Sequence, residues 1–125
     1  MTIVRAADVE MVETPGKNHT GGVATPRQQA DEVLVLRQRQ EPGGANPIHR
    51  HDREEVMIQL DGVVSVTVGD EEIELAAGDA LIVPAGAPHQ ITNRGTARAE
   101  WLLVAPAHLR FYRADGEEIS PTFLT

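Results

Sequence analysis

His49, His51 and Glu55 stand at odd positions within the segment from Gly43 to Gly62. Two neutral imidazoles and a carboxylate form a natural donor set for a divalent metal ion. On an extended strand successive side chains alternate, so residues two and six apart share a face. Read as one strand, the segment turns both rings and Glu55 to one side and sends Glu54 to the other. A helix would put residues i and i+2 about 200° apart and scatter the set. Turn residues on either side, Pro42-Gly43-Gly44 and Asp61-Gly62, and the run Val56-Met57-Ile58 favour the strand.

Other side chains qualify as neighbours of such a site. Met57 and Gln59 continue the odd-numbered face, Met57 as pocket wall and Gln59, if inward, as a group that orients a ligand. Arg37 and Arg39 leave a buried strand on one face and can meet an anionic substrate, although solvation at the surface accounts for them equally well. Trp101, the only tryptophan, is read first as core and second as pocket wall. His19 follows a turn and reads as a solvated loop residue. His108 follows Pro106 and reads as exposed rather than as a further ligand.

The elements that must position these groups are short strands. Val33 to Arg39 begins apolar and ends polar, which suggests burial on both faces at its start. Val64, Val66 and Val68 alternate with Ser65 and Thr67, and Ile73 and Leu75 alternate with Glu72 and Glu74 beyond the Gly69-Asp70 turn, which makes a hairpin. Leu81 to Val83, Gln90 to Thr92 and Glu100 to Val104 follow, and Leu109 to Tyr112 closes the series. Turn signals recur every ~8–12 residues and no stretch has the period of an amphipathic helix, a layout that predicts an antiparallel sandwich or barrel.

The chain has 125 residues, which predicts a single domain, 1–125, with a hydrophobic core. Its net charge of −8 argues against nucleic acid and anionic membranes as partners. The absence of cysteine removes disulfides, thiolate ligands and a cysteine nucleophile, leaving nitrogen and oxygen donors. No secretory signal and no apolar run of membrane-spanning length is evident, so the cytoplasm is the expected compartment.

With those residues in place, the sequence resembles the cupin family. Gly43, His49, His51, Glu55 and Gly62 follow the spacing Gly-x5-His-x-His-x3-Glu-x6-Gly, and Gly78, Pro84, Gly86, His89 and Asn93 follow Gly-x5-Pro-x-Gly-x2-His-x3-Asn. At about 5% background usage per residue type, ten such matches arise by chance on the order of 10⁻¹³ per placement.

The resemblance implies an all-β antiparallel jelly-roll barrel with its motifs within 43–93, flanked by strands and loops at 1–32 and 106–125. It implies that His49, His51, Glu55 and His89 bind one divalent transition metal, with Fe, Mn, Ni, Cu and Zn all compatible with the donors. It also implies a homodimer and a small-molecule substrate. The corresponding functional expectation is a metal-dependent enzyme, a dioxygenase first and an isomerase or lyase next. The alternative is a non-catalytic cupin that binds or senses a small molecule or metal. Asn93 is expected to tie a turn through its side chain.

Overall fold

A computed structural model describes residues 1–121. Twelve strands follow one another: β1 (Val12–Thr14), β2 (Asn18–Ala24), β3 (Val33–Gln40), β4 (His49–His51), β5 (Glu55–Asp61), β6 (Val64–Val68), β7 (Glu71–Leu75), β8 (Ala80–Val83), β9 (His89–Thr92), β10 (Ala99–Pro106), β11 (Phe111–Arg113) and β12 (Glu118–Ile119). Two short 3-10 turns, Ala6–Asp8 and Pro26–Gln28, are the only helical segments among the described residues. All pairings are antiparallel. One sheet runs β1-β2-β3-β10-β5-β8 and the other β12-β11-β4-β9-β6-β7. The jelly roll expected from the sequence is therefore present as two facing six-stranded sheets, which do not close into a continuous hydrogen-bonded barrel.

Alternation decides which side chains the sheets enclose. On β5, Glu55, Met57 and Gln59 are buried while Val56 and Ile58 are half covered; on β10, Ala99, Trp101, Leu103 and Ala105 are buried in the same way. β3 also alternates: Leu34 and Leu36 face inward whereas Val33 is half exposed, so the expectation of burial on both faces does not hold. Two apolar clusters result. Met57, Val64, Val66, Leu75, Ile91, Ala99 and Trp101 form one; Leu34, Leu36, Leu103, Ala105, Leu109 and Phe111 form the other. Some polar groups that come inside tie the turns. Asn93, 1% exposed, donates to the carbonyls of Gln40 and Ala97 and accepts from the Gly95 amide, so it ties the turn expected of it.

The histidine segment departs from the single strand read in the sequence. It is two strands, β4 in one sheet and β5 in the other, separated by Asp52, Arg53 and Glu54. His51 faces inward from β4 and Glu55 faces inward from β5, so they meet because the sheets face each other, not because six residues of strand separate Glu55 from His49. The corner is pinned by the Gly86 amide, which donates to the His51 carbonyl at 2.8 Å. Gly86 adopts φ +78°, a conformation that suits glycine.

Candidate metal centre

β4 and β9 lie side by side with His49 opposite His89. Together with His51 they form a cluster of three rings whose donor atoms all lie within 4.8 Å of one another. Ring centroids are 4.1 Å apart for His49 and His89, 5.0 Å for His49 and His51, and 5.3 Å for His51 and His89. Glu55 enters from the opposite sheet, with Oε2 3.0 Å from His51 Nε2 and Oε1 3.0 Å from His89 Nε2. Phe111 packs edge-on against His51 at 4.5 Å and holds that ring from behind.

Each imidazole is oriented through its other nitrogen. Nδ1 of His49 lies 2.9 Å from the Pro47 carbonyl, Nδ1 of His51 3.2 Å from that of Arg110, and Nδ1 of His89 2.9 Å from that of Ala87. A carbonyl can only accept, so Nδ1 carries the proton in all three rings and Nε2 presents its lone pair to the centre.

Those lone pairs have nowhere to go within the protein. His51 Nε2, His89 Nε2 and Glu55 Oε2 are buried without a hydrogen-bond partner, although nitrogen and oxygen stand only 3.0 Å apart. Short contact without hydrogen-bond alignment is the relation between neighbouring ligands of one ion. A cation held between them would turn the repulsion of their lone pairs into shared attraction. The donor set therefore fits a divalent cation, and a buried carboxylate among unpartnered imidazoles would otherwise be costly.

Burial pushes the Glu55 carboxyl up, but contact with His51 and His89 outweighs it and holds the group below the usual carboxylate range. Burial lowers His49, reinforced by the neighbouring His89, to a pKa of about 4. For His89 burial acts downward, yet the Glu55 carboxylate prevails and the pKa is raised. At neutral pH Glu55 thus offers charge and not a proton.

A cavity of about 580 Å³ opens beside His49, between the inner face of the first sheet and the β11–β12 hairpin. Trp101 lines it, as the sequence allowed, with its indole N–H donating to Gln38 Oε1 at 2.7 Å. Met57, Gln59 and Arg37 do not line the cavity. Met57 belongs to the apolar cluster. Gln59 is fully buried, its amide donating to the Asp61 carbonyl at 2.9 Å. Arg37 alternates with the inward Leu36 and lies 3.6 Å from Glu100; Arg39 touches the cavity edge but is engaged by the same carboxylate at 3.2 Å. His19, read as a loop residue, is in β2 opposite Arg39 and borders the cavity. Gln38 and Phe111, both at the cavity wall, were not singled out by sequence. For Gln38 a signal existed: it shares parity with Leu34 and Leu36.

Two facing antiparallel sheets with a histidine cluster between them define the class, and the cupin domain model matches residues 36–105. The chain belongs to the cupin family. Among solved structures, the polyketide cyclase RemF from Streptomyces resistomycificus superposes with a TM-score of 0.79 at 22% identity, covering 99% of this chain and 89% of that one. A cupin-superfamily sugar phosphate isomerase from Silicibacter pomeroyi gives 0.74 at 19% identity, covering 98% and 99%. A Bacillus subtilis oxalate decarboxylase mutant gives 0.78 at 19%, covering 89% of this chain and 31% of that longer one. Curated protein sequences return no match. At these identities the likeness concerns the fold.

Proposed function

We propose that this cupin is a metal-dependent enzyme acting on a small organic molecule, with His49, His51 and His89 through Nε2 and Glu55 through its carboxylate as ligands to one divalent transition ion. The observation that carries the reading is the set of buried, unpartnered donor atoms at His51, His89 and Glu55, in rings whose tautomers are already fixed by backbone carbonyls. Iron, manganese, nickel, copper and zinc all suit three imidazoles and a carboxylate. A divalent ion there supplies Lewis-acid polarisation of a substrate oxygen or a template for dioxygen.

The chain's own residues do the rest. His49, half exposed on the cavity wall, separates the cavity from the more deeply buried His51 and His89, so a substrate approaches past its ring. Glu55, kept ionised, lowers the charge of the centre. Phe111 and Trp101 help to exclude water. Dioxygenation is the first reaction to test, with isomerisation and lyase chemistry next. Solved structures of the same fold carry names that include cyclase, isomerase and decarboxylase, which keeps the non-oxidative reactions in the panel.

The experiment is elemental analysis of protein purified without chelator, followed by oxygen uptake and product analysis with each of the five ions across phenolic, keto-acid and sugar panels. About one ion per chain, lost in His51→Ala and His89→Ala, supports the metal centre, and turnover supports the enzyme. Protein free of metal at every stage would overturn it, and saturable binding without product would favour the sensing alternative. We also infer a homodimer. On the outer face of the first sheet, Val35, Val104, Val56 and Ile82 lie in one cross-strand row, and Ile82 is 61% exposed. An apolar strip of that kind suits a second copy.

A further inference from the structure

Gln38, Trp101 and His49 surround the cavity with a distinctive chemistry. Gln38 and Trp101 are cross-strand partners, and Thr20 lies opposite Gln38 on its other side, so the three form one inward row across the first sheet. An indole N–H can only donate, so Gln38 must turn its carbonyl oxygen toward Trp101 at 2.7 Å. Its NH₂ then points away from the indole. That nitrogen has no hydrogen-bond partner among the described residues, yet it is not one of the buried unpartnered atoms. On an inward-facing residue that lines the cavity, an accessible nitrogen opens into the cavity itself.

The other walls are apolar or neutral: the Trp101 indole, the Phe111 ring, Pro15, Pro47 and Ile119. Two cations, Arg39 and Arg113, also line the cavity. Arg39 is committed to Glu100, and Arg113 is exposed in the company of Glu117 and Glu118. Among the lining residues Arg39 and Arg113 are balanced by Glu117 and Glu118, so the cavity has no surplus of positive charge to draw a small anion. A volume of about 580 Å³ is also far larger than a two-carbon acid requires and falls in the range of pockets for multi-ring ligands.

We propose that the cavity takes a neutral compound of about two fused rings bearing carbonyl or hydroxyl oxygens, and that Gln38 is a specificity-determining residue donating its NH₂ to one of those oxygens. Trp101 and Phe111, 2% and 6% exposed, each give the wall a small apolar surface, and the oxygen farthest from Gln38 lies toward His49. Trp101 positions Gln38 by fixing its amide. This inference rests on the metal-centre reading only in assigning the reacting end of the ligand to the His49 side.

The test uses the metal-loaded protein and its sole tryptophan, which reports on the cavity by fluorescence, with calorimetry as a second readout. Four probes are 8-hydroxy-1-tetralone, the oxygen-free analogue tetralin, and glucose 6-phosphate and oxalate as anionic comparators. The tetralone should quench Trp101 saturably and bind at least tenfold more tightly than either anion. Gln38→Glu keeps an acceptor for the indole but offers no N–H at pH 8; it should weaken the tetralone about tenfold or more, leaving tetralin affinity and metal content unchanged. Gln38→Leu should do the same. Tighter binding of an anion, unaltered tetralone affinity in Gln38→Glu, or an equal loss for tetralin would overturn the proposal. If metal is absent but the tetralone binds with the Gln38 dependence, the metal reading fails and the cavity assignment stands. Metal present without ring binding gives the reverse.

Discussion

At the scale of single residues, Glu55 and His49 make opposite use of burial. Glu55→Gln keeps the shape of the side chain but removes the charge that faces two imidazoles at 3.0 Å. Loss of an outer partner typically costs 10–100-fold in metal affinity, so losing this carboxylate should cost more than ~100-fold, measured by competition with a chromogenic chelator. In metal-free protein His49 is held neutral, with its pKa lowered to about 4. Its folded pKa lies below its unfolded value of ~6.5, so the unfolded chain takes up the proton first. That contribution to stability is complete above ~pH 6.5 and is lost as pH falls toward 4. His89 runs the other way: its raised pKa adds stability at low pH that disappears as pH rises through the folded value. Because the His49 ring is half exposed, its effect should be discounted to ~1–2 kcal/mol. Urea midpoints of chelator-treated protein should therefore fall between pH 6.5 and 4, and His49→Asn should flatten that limb; an unchanged slope in the variant would count against it.

At the scale of elements, the corners decide whether the strands deliver their side chains to one place. Gly62 has φ +70°, and an added Cβ would sit 2.5 Å from the Arg98 carbonyl oxygen, whereas Gly86 at φ +78° has open space around it. Gly62→Ala should cost more than ~2 kcal/mol because conformation and clash combine, and Gly86→Ala ~1 kcal/mol from conformation alone. Chemical denaturation of the two variants checks the order, which equal losses would contradict. The strands β6 and β7 are legible from alternation, and β3, β9 and β10 from apolar residues bounded by turn residues, all of them local signals. The His49–His51 and Glu55 convergence was legible only in outcome: strand parity named the right residues, but the chain changes sheets at Asp52–Glu54, and no local pattern announces such a crossing. His89 became accessible through the second motif, since its approach to His49 is a long-range pairing. Gln59 and Met57 read as pocket residues in the sequence because inward parity does not distinguish cavity from core. Trp101 separates the two, and that depends on packing across the sheets.

At the scale of the whole molecule, metal and stability are linked. An ion present at 100 times its Kd and bound only by the native chain adds ~2.7 kcal/mol, so chelation should lower Tm by roughly 10 °C for a domain of this size. An unchanged Tm with metal demonstrably removed would sink that link. Ile82→Glu places a charge on the apolar outer face and should shift a dimer to monomer in light scattering, with metal content retained. The thinness of β4 has a further consequence. It holds β9 through a single residue pair and β11 through three, and β11 carries the hairpin that rims the cavity. An ion gripped by β4, β5 and β9 would rivet this narrow ribbon to both layers. Drawing out the rivet should loosen the doorway as well as empty the centre, so that amide exchange quickens in β4, β11 and β12 first and the capture of a guest weakens along with it.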